Sequence, residues 1–205
     1  MTPDSYYTIE RSSVAEYKDK GSKFIGYAFP IDSVHDFKEK MSLIKKEHPK
    51  ATHHCFAYRI GTDGNNFRVS DDGEPSGTAG KPILRQIDSK HVTNVLIIVV
   101  RYFGGTLLGV PGLINAYKTT AALALQVTPV VEKPVLVQYR LQFDYTQMNN
   151  VMKYLKQFDC VVKQHDPYNY REQLFCSFLI AIPKKSLDEV FNKLNELRGV
   201  EIKPA

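Results

Sequence analysis

The 205-residue sequence lacks the features that mark several large classes of protein. It contains no tryptophan, three cysteines and no apolar run approaching the roughly 18 residues needed to cross a bilayer. No basic segment followed by an apolar stretch opens it, so a secretory signal is not expected. Cys55, Cys160 and Cys176 form no CxxC pair and no zinc-type spacing, which favours small buried side chains in a reducing compartment over disulfides. We therefore expect a cytoplasmic protein without a membrane segment.

The composition is that of a folded globular protein. Hydrophobic residues make up 43% of the chain and charged residues 24%, which argues against disorder. The net charge of +5 permits contact with nucleic acid but does not require it, because dedicated nucleic-acid domains usually show a clustered basic stripe as well as a mild excess of cations. Length and the prolines at 129 and 134 predict two domains, 1–132 and 133–205.

In the second half, the apolar period alternates between two and 3.6 residues. It predicts strands over 135–143, 161–164, 173–182 and 200–202, a turn over 166–170, and helices over 145–158 and 186–197. The resulting order, βαββαβ, is typical of the ferredoxin-like fold. Its helices should cover one sheet face, and the other face is a candidate surface for a protein partner. The half lacks the aromatic signature of an RNA-recognition motif.

The first half reads as strands followed by alternating helices and strands. Three strands at its start predict an antiparallel meander. The predicted strands are 6–12, 14–19, 23–30, 54–60, 66–70 and 94–102, and the predicted helices are 33–47, 78–90 and 112–126.

Two glycine-rich segments flank the apolar strand at 94–100. They are SDDGEPSGTAGKPIL at 70–84 and RYFGGTLLGVPGLINAY at 101–117. Glycine permits close approach to the main chain, and each segment leads into a helix, so both are candidate anion sites. The first is not a Walker A loop, because Pro75 and Pro82 stand where Gly and Ser or Thr are needed. It also misses the GxSxG pattern of serine hydrolases by one position.

The candidate RNA- or phosphate-binding residues lie in and around these segments. Residues 101–105 combine an arginine, two aromatic rings and two glycines, which is typical of a contact with a phosphate or a stacked base. A glycine turn packed by buried rings explains the pattern equally well. The full candidate set is Lys23, Arg68, Ser76, Thr78, Lys81, Arg101, Tyr102, Gly104, Gly105 and Lys118.

Acidic and histidine residues supply the alternative chemistry. Asp71, Asp72 and Glu74 form an acidic turn that could bind Mg²⁺, but capping of the following helix explains them as well. His53 and His54 are neighbours on a strand and point to opposite faces, so we do not expect them to share a metal ion, and one of them should face the core. We assign no metal site, no cofactor and no catalytic residue.

The longer motifs resemble the IMPACT family over nearly the whole chain. They are GSKFIGYAFPI at 21–31, ATHHCFAYRIG at 51–61, SDDGEPSGTAGKPIL, and YFGG with downstream LG, GL and AY. The resemblance implies an α+β protein. Its amino-terminal domain would be like the second domain of small-subunit ribosomal protein five, and its ferredoxin-like carboxy-terminal domain like the fifth domain of elongation factor G.

The same resemblance implies a role in translation. Eukaryotic members restrain the amino-acid-starvation response at translation initiation through protein contacts, and bacterial members are assigned to translation regulation or nucleic-acid binding. This chain departs from the family's glycine loop at Leu107, Pro111 and Asn115, where Lys, Gly and Arg are usual. Two missing cations predict weaker RNA binding or binding through other residues.

Three functions therefore remain open from the sequence. The first is a cytosolic protein that binds RNA or the ribosome and modulates translation. The second is a phosphate-ester or nucleotide-acting enzyme that uses the acidic turn and Mg²⁺. The third is a protein-interaction module that uses the open sheet face of the carboxy-terminal domain.

Overall fold

The computed structural model describes residues 3–170 and 173–205. In chain order the elements are β1 (Ser5–Ile9), β2 (Ser13–Asp19), β3 (Ser22–Pro30), α1 (Val34–Glu47), β4 (His53–Ile60), β5 (Asn66–Ser70), α2 (Gly80–Ser89), β6 (Val95–Tyr102), α3 (Gly109–Gln126), β7 (Val130–Pro134), β8 (Leu136–Asp144), α4 (Met148–Gln157), β9 (Val161–Tyr170), β10 (Gln173–Pro183), α5 (Leu187–Asn195) and β11 (Val200–Pro204).

The chain forms two compact units. Residues 6–133 make the first unit, and residues 3–5 join 134–205 in the second. Within the described ranges, no helix is both long and apolar enough to cross a bilayer.

The first unit is an antiparallel five-stranded sheet with helices on both faces. Its strand order is β2-β3-β6-β4-β5. The central strand, β6, is covered on both sides, which is why its sequence reads as a continuous apolar run rather than an alternating one. One face packs against α2 and α3 through a core that includes Ile83, Ile97 and Tyr117. The other face packs against α1 through Phe37 and Ile44.

The predicted meander is wrong at its first strand. Strand β1 pairs with β7 in a separate two-stranded sheet, while β2 pairs with β3 as expected. Contacts to the chain after α3 hold β1 in this position: Glu10 N donates to Pro129 O at 2.9 Å, and Arg11 N donates to Thr128 Oγ1 at 3.4 Å. These partners lie more than 100 residues along the chain, so the local pattern carries no sign of them.

The second unit has the predicted βαββαβ order. Its sheet order is β11-β8-β10-β9, and all of its described pairings are antiparallel. Helices α4 and α5 pack through Val151, Leu155 and Val190 on a core that includes Phe143 and Phe178. The predicted turn at 166–170 is wrong, because β9 continues through it in register with β10.

Candidate functional site

The two glycine-rich segments meet at one end of the five-stranded sheet. Gly104 lies against the main chain of the turn before β3, and a Cβ added at Gly104 would stand 1.9 Å from Gly21 C. Gly104 N also donates to Ser22 Oγ at 3.2 Å. Glycine is therefore required here for two backbones to pack together, which corrects the prediction that this position is bare for a ligand.

The amino end of α2 is already occupied by a carboxylate of the chain itself. Asp71 accepts from the backbone N–H groups of Gly77, Ala79 and Gly80 at 2.9, 3.0 and 2.9 Å. Burial raises the pKa of Asp71, but these three bonds lower it and the net shift is downward. The first glycine segment is consequently not an open anion site, and the capping interpretation of Asp71 is confirmed.

The other two carboxylates of the acidic turn, Asp72 and Glu74, bond to different parts of the fold. Asp72 Oδ2 accepts from His54 N at 2.6 Å, and Glu74, which is 8% exposed, directs its carboxylate toward Arg101. Across the described part of the chain, no three His, Cys, Asp or Glu side chains are grouped so as to hold a metal ion. The proposed Mg²⁺ site at Asp71, Asp72 and Glu74 therefore has no support in the geometry.

Arg101 is buried and ion-paired, with 5% of its surface exposed. Its Nη1 lies 2.6 Å from Glu74 Oε1, and the Tyr117 hydroxyl donates to the same oxygen at 2.7 Å. The guanidinium lies over the rings of Phe24 and Phe103, at 5.4 and 5.5 Å from their centroids. The charge of Arg101 is balanced by Glu74 inside the fold, so the geometry does not favour the phosphate contact predicted for Arg101 from the sequence.

Tyr102 points to the opposite side of the sheet from Arg101, as neighbouring strand residues do. Its hydroxyl lies 2.9 Å from His48 Nδ1, and His48 Nε2 lies 2.6 Å from the Tyr27 hydroxyl. Burial raises the pKa of Tyr27 to about 12, so Tyr27 keeps its proton, and its hydroxyl donates to Glu47 Oε1 at 3.4 Å. Tyr102 thus belongs to the α1 side, and the predicted joint contact of Arg101 and Tyr102 does not form.

The remaining sequence candidates divide by exposure. Thr78 is buried and donates to Pro75 O at 2.7 Å, and Lys23 pairs with Glu16 at 2.7 Å. The side chains of four other candidates are exposed, as is the turn at Gly105. They are Arg68, Ser76, Lys81 and Lys118.

A cavity of about 350 Å³ opens beside the buried Arg101–Glu74 pair. Its polar wall contains Thr52, His53, Glu74 and Arg101, and Phe103, which is 48% exposed, forms part of its apolar wall. The rest of the lining comes from Pro75 and the start of α3, whose amino end has no side-chain cap. The sequence did not identify this cavity, since its wall combines residues from segments far apart in the chain.

Of the three departures from the family loop, only Leu107 lies in the cavity wall, and it is 83% exposed. Pro111 and Asn115 are exposed on α3. Pro111 stands in the first turn of that helix, where a missing N–H costs little.

The neighbouring histidines divide between the two sheet faces as predicted. His54 is 9% exposed, and burial lowers its pKa. His53 Nδ1 lies 2.7 Å from Asp72 O, and since a carbonyl can only accept, Nδ1 carries the proton. In the neutral ring Nε2 therefore keeps its lone pair, 3.8 Å from Glu74 Oε1 and in the cavity wall.

A second cavity, of about 600 Å³, lies along α1 and was also not predicted from the sequence. Exposed Lys38, Lys45 and Lys46 surround a floor that includes Phe37 and Met41. The lysine spacing of seven and eight residues places all three near one helix face, and this periodicity could have revealed the surface. We refer to these three lysines as the α1 lysine cluster.

Comparisons with known proteins agree with the motif resemblance. Residues 20–125 match the family model described as the Impact N-terminal domain. The IMPACT family member YigZ of Escherichia coli (strain K12) is 37% identical over 177 residues, which are 85% of this chain and 84% of that protein. A protein IMPACT homolog of Saccharomyces cerevisiae is 33% identical over 94 residues, 44% of this chain and 36% of that protein.

The fold is also found among solved structures. A crystal structure described as that of a hypothetical protein superposes with a TM-score of 0.78 at 32% identity, covering 99% of this chain and 98% of the other. The sequence and structural likeness extend through both units, well beyond the glycine-rich segments. The chain therefore belongs to the IMPACT family.

Proposed function

We propose that this protein binds RNA or the ribosome in the cytoplasm and modulates translation. Membership of the IMPACT family is the observation that carries the proposal, since the family resemblance implies translation regulation. The buried pairing of Arg101 supports a contact surface different from the one expected from the sequence. Exposed cations have to supply the phosphate contacts instead.

The α1 lysine cluster is the surface that supports RNA contact best. Its three ammonium groups are exposed, and none of the residues lining the groove is acidic. Apolar side chains between cations suit a single-stranded nucleic acid, whose phosphates and exposed bases need both kinds of contact. Exposed Arg68, Lys81 and Lys118 add positive charge elsewhere on the same unit.

The test is binding of the full chain to a fluorescent single-stranded RNA and to ribosomes between about 50 and 300 mM salt. Changing the α1 lysine cluster to glutamine should weaken binding and lower the salt slope by about two, because each phosphate contact on a single strand contributes roughly 0.7. The matched control changes Lys153, Lys156 and Lys163, which are exposed on the second unit, to glutamine.

Absence of binding at the lowest salt concentration would contradict the proposal. Equal losses in the two triple variants would also contradict a contact at α1, because they would show a dependence on total charge only. Ribosome binding without binding to the free RNA would assign the contact to an assembled particle.

A protein partner on the second unit is the other candidate. The β8 side chains that alternate with the core positions include Gln138, Arg140 and Gln142, and Arg140 Nη1 lies 3.4 Å from Ser177 Oγ. This polar face suits hydrogen-bonded contact with a protein better than base stacking. Capture of a ribosomal protein that is lost in Arg140→Ala, with RNA binding unchanged, would favour this role.

A further inference from the structure

We infer that the 350 Å³ cavity beside Arg101 and Glu74 accepts one unstacked guanine base of a bound single-stranded RNA. The inference rests on the proposed function, in that the base belongs to an RNA held by the exposed cations. It concerns a different place on the molecule from the α1 lysine cluster, namely the end of the sheet where the two glycine-rich segments meet.

The first argument is the free oxygen of a buried carboxylate. Arg101 and Tyr117 both bond to Glu74 Oε1, and His53 Nε2 approaches that same oxygen. Glu74 Oε2 has no hydrogen-bond partner among the described residues. Arg101 Nε is the one side-chain polar atom there that is both fully buried and unpartnered, so Oε2 is not enclosed in the core. An acceptor with a fixed orientation is therefore presented in the cavity wall.

The second argument is the pattern of donors and acceptors beside that oxygen. His53 Nε2 is an acceptor in the neutral ring, because Nδ1 holds the proton that it donates to Asp72 O. Thr52 Oγ1 accepts from Phe103 N at 3.3 Å, which leaves the hydroxyl proton to be donated to a ligand. Beside the Arg101 guanidinium, which already bonds to Glu74 Oε1 and Ser22 Oγ, the wall with a neutral His53 ring thus offers two acceptors and one donor.

Guanine is the RNA base that complements this set. Its Watson–Crick edge carries two neighbouring donors, the amino group and N1–H, beside the O6 acceptor. Adenine and cytosine present one donor on that edge, and uracil presents one donor between two acceptors. Because Arg101 already balances the charge of Glu74, the site also favours an uncharged ring over an anion or a cation.

The third argument is the apolar part of the wall. Phe103 is half exposed, and a base can stack on its ring. The cavity volume lies within the range of about 300 to 1,000 Å³ seen for small-molecule sites. The uncapped amino end of α3 borders the opening, so its N–H groups can meet the phosphate attached to the base.

The experiment compares uridine heptamers whose central position is guanine, inosine, adenine or uracil. We expect the guanine oligomer to bind about 5- to 100-fold more tightly than the uracil one, as a good bidentate base contact does. Inosine lacks the amino group but keeps N1–H, so it should lose part of this preference. Guanosine monophosphate should separately shift the NMR signals of Thr52, His53 and Phe103.

Variants locate the preference in the cavity without removing either member of the buried ion pair. Phe103→Ala should reduce binding of the guanine oligomer by about 5- to 100-fold, the usual effect of losing one stacked base. The matched control is Phe67→Ala, which removes a ring of similar exposure from β5. Thr52→Val should reduce guanine preference with little effect on the uracil oligomer.

The outcomes separate this inference from the proposed function. If all oligomers bind equally and guanosine monophosphate does not bind, the guanine site is wrong while RNA binding stands. If no oligomer binds but guanosine monophosphate does, the cavity holds a free guanine nucleotide and the RNA function fails. Equal losses in Phe103→Ala and Phe67→Ala would overturn the assignment to this cavity.

Discussion

The two glycine-rich segments have the same outline in sequence but opposite roles in the structure. Each follows a strand and leads into a helix, yet the amino end of α2 is filled by the Asp71 carboxylate, while that of α3 borders an open cavity. The comparison shows that glycine content and a following helix do not define an anion site. What decides is whether a side chain of the protein already occupies the helix end.

The largest effect is expected from breaking the ion pair between Arg101 and Glu74, which joins the two glycine-rich segments. Arg101→Met leaves the buried Glu74 carboxylate without its cation, so the free energy of unfolding should fall by about 3–5 kcal/mol. Urea unfolding followed by circular dichroism measures the change. The control, Arg68→Met, alters an exposed arginine and should change stability by less than about 0.5 kcal/mol. Similar stabilities for the two variants would show that the pair is not energetically coupled.

The second test opens the filled helix end. Asp71→Asn replaces a carboxylate that accepts three backbone N–H bonds and should cost roughly 2–3 kcal/mol. Because folding lowers the pKa of Asp71, its contribution is complete above the unfolded pKa and is lost as pH falls through the folded pKa. The stability difference between the two proteins should therefore shrink in acid.

Urea unfolding between pH 7 and pH 3 checks this expectation. Asp32→Asn serves as the control, because Asp32 is exposed and its carboxylate caps no helix. A difference that stays constant over the whole range would contradict a role for the charge.

The smallest expected effect is the change in pH dependence of stability when His54 is replaced. His54 is buried on the α1 face of the sheet, so this test compares that face with the glycine-rich segments. Burial lowers the pKa of His54, so the unfolded chain binds its proton more readily than the folded one. Stability should decline as pH falls through the unfolded histidine value of about 6.5, and His54→Gln should flatten that decline. Thermal unfolding from pH 8 to pH 5 measures it, with exposed His35→Gln as control. A slope that both variants leave unchanged would exclude His54 as its source.

The parts of the fold that could be predicted are those in which the local pattern of apolar and polar residues determines the element. The second unit was recognisable from its alternating periods, and β6 from its apolar run. Strand β1 was placed wrongly because its partner, β7, lies at the far end of the unit. The turn over 166–170 was wrong because pairing with β10 outweighs the local turn tendency of those residues.

The candidate site was harder to predict because it, too, depends on contacts between residues far apart in the chain. Arg101 looks like an anion-binding residue in sequence, and only the position of Glu74, 27 residues away, shows that its charge is balanced. The His53 tautomer likewise depends on a backbone carbonyl at Asp72. By contrast, the opposite orientation of His53 and His54 follows from strand geometry alone and was predicted correctly.

The packing of Gly104 on Gly21 has a consequence for how the cavity comes into existence. The bond from Gly104 N to Ser22 Oγ spans 82 residues, and the cavity wall joins residues near positions 52, 74, 101 and 108. Such a wall has no local precursor, so it can assemble only when the whole first unit has folded. Any ligand of the cavity must then stabilise that entire unit by mass action, and its occupancy would report global folding rather than the state of one loop.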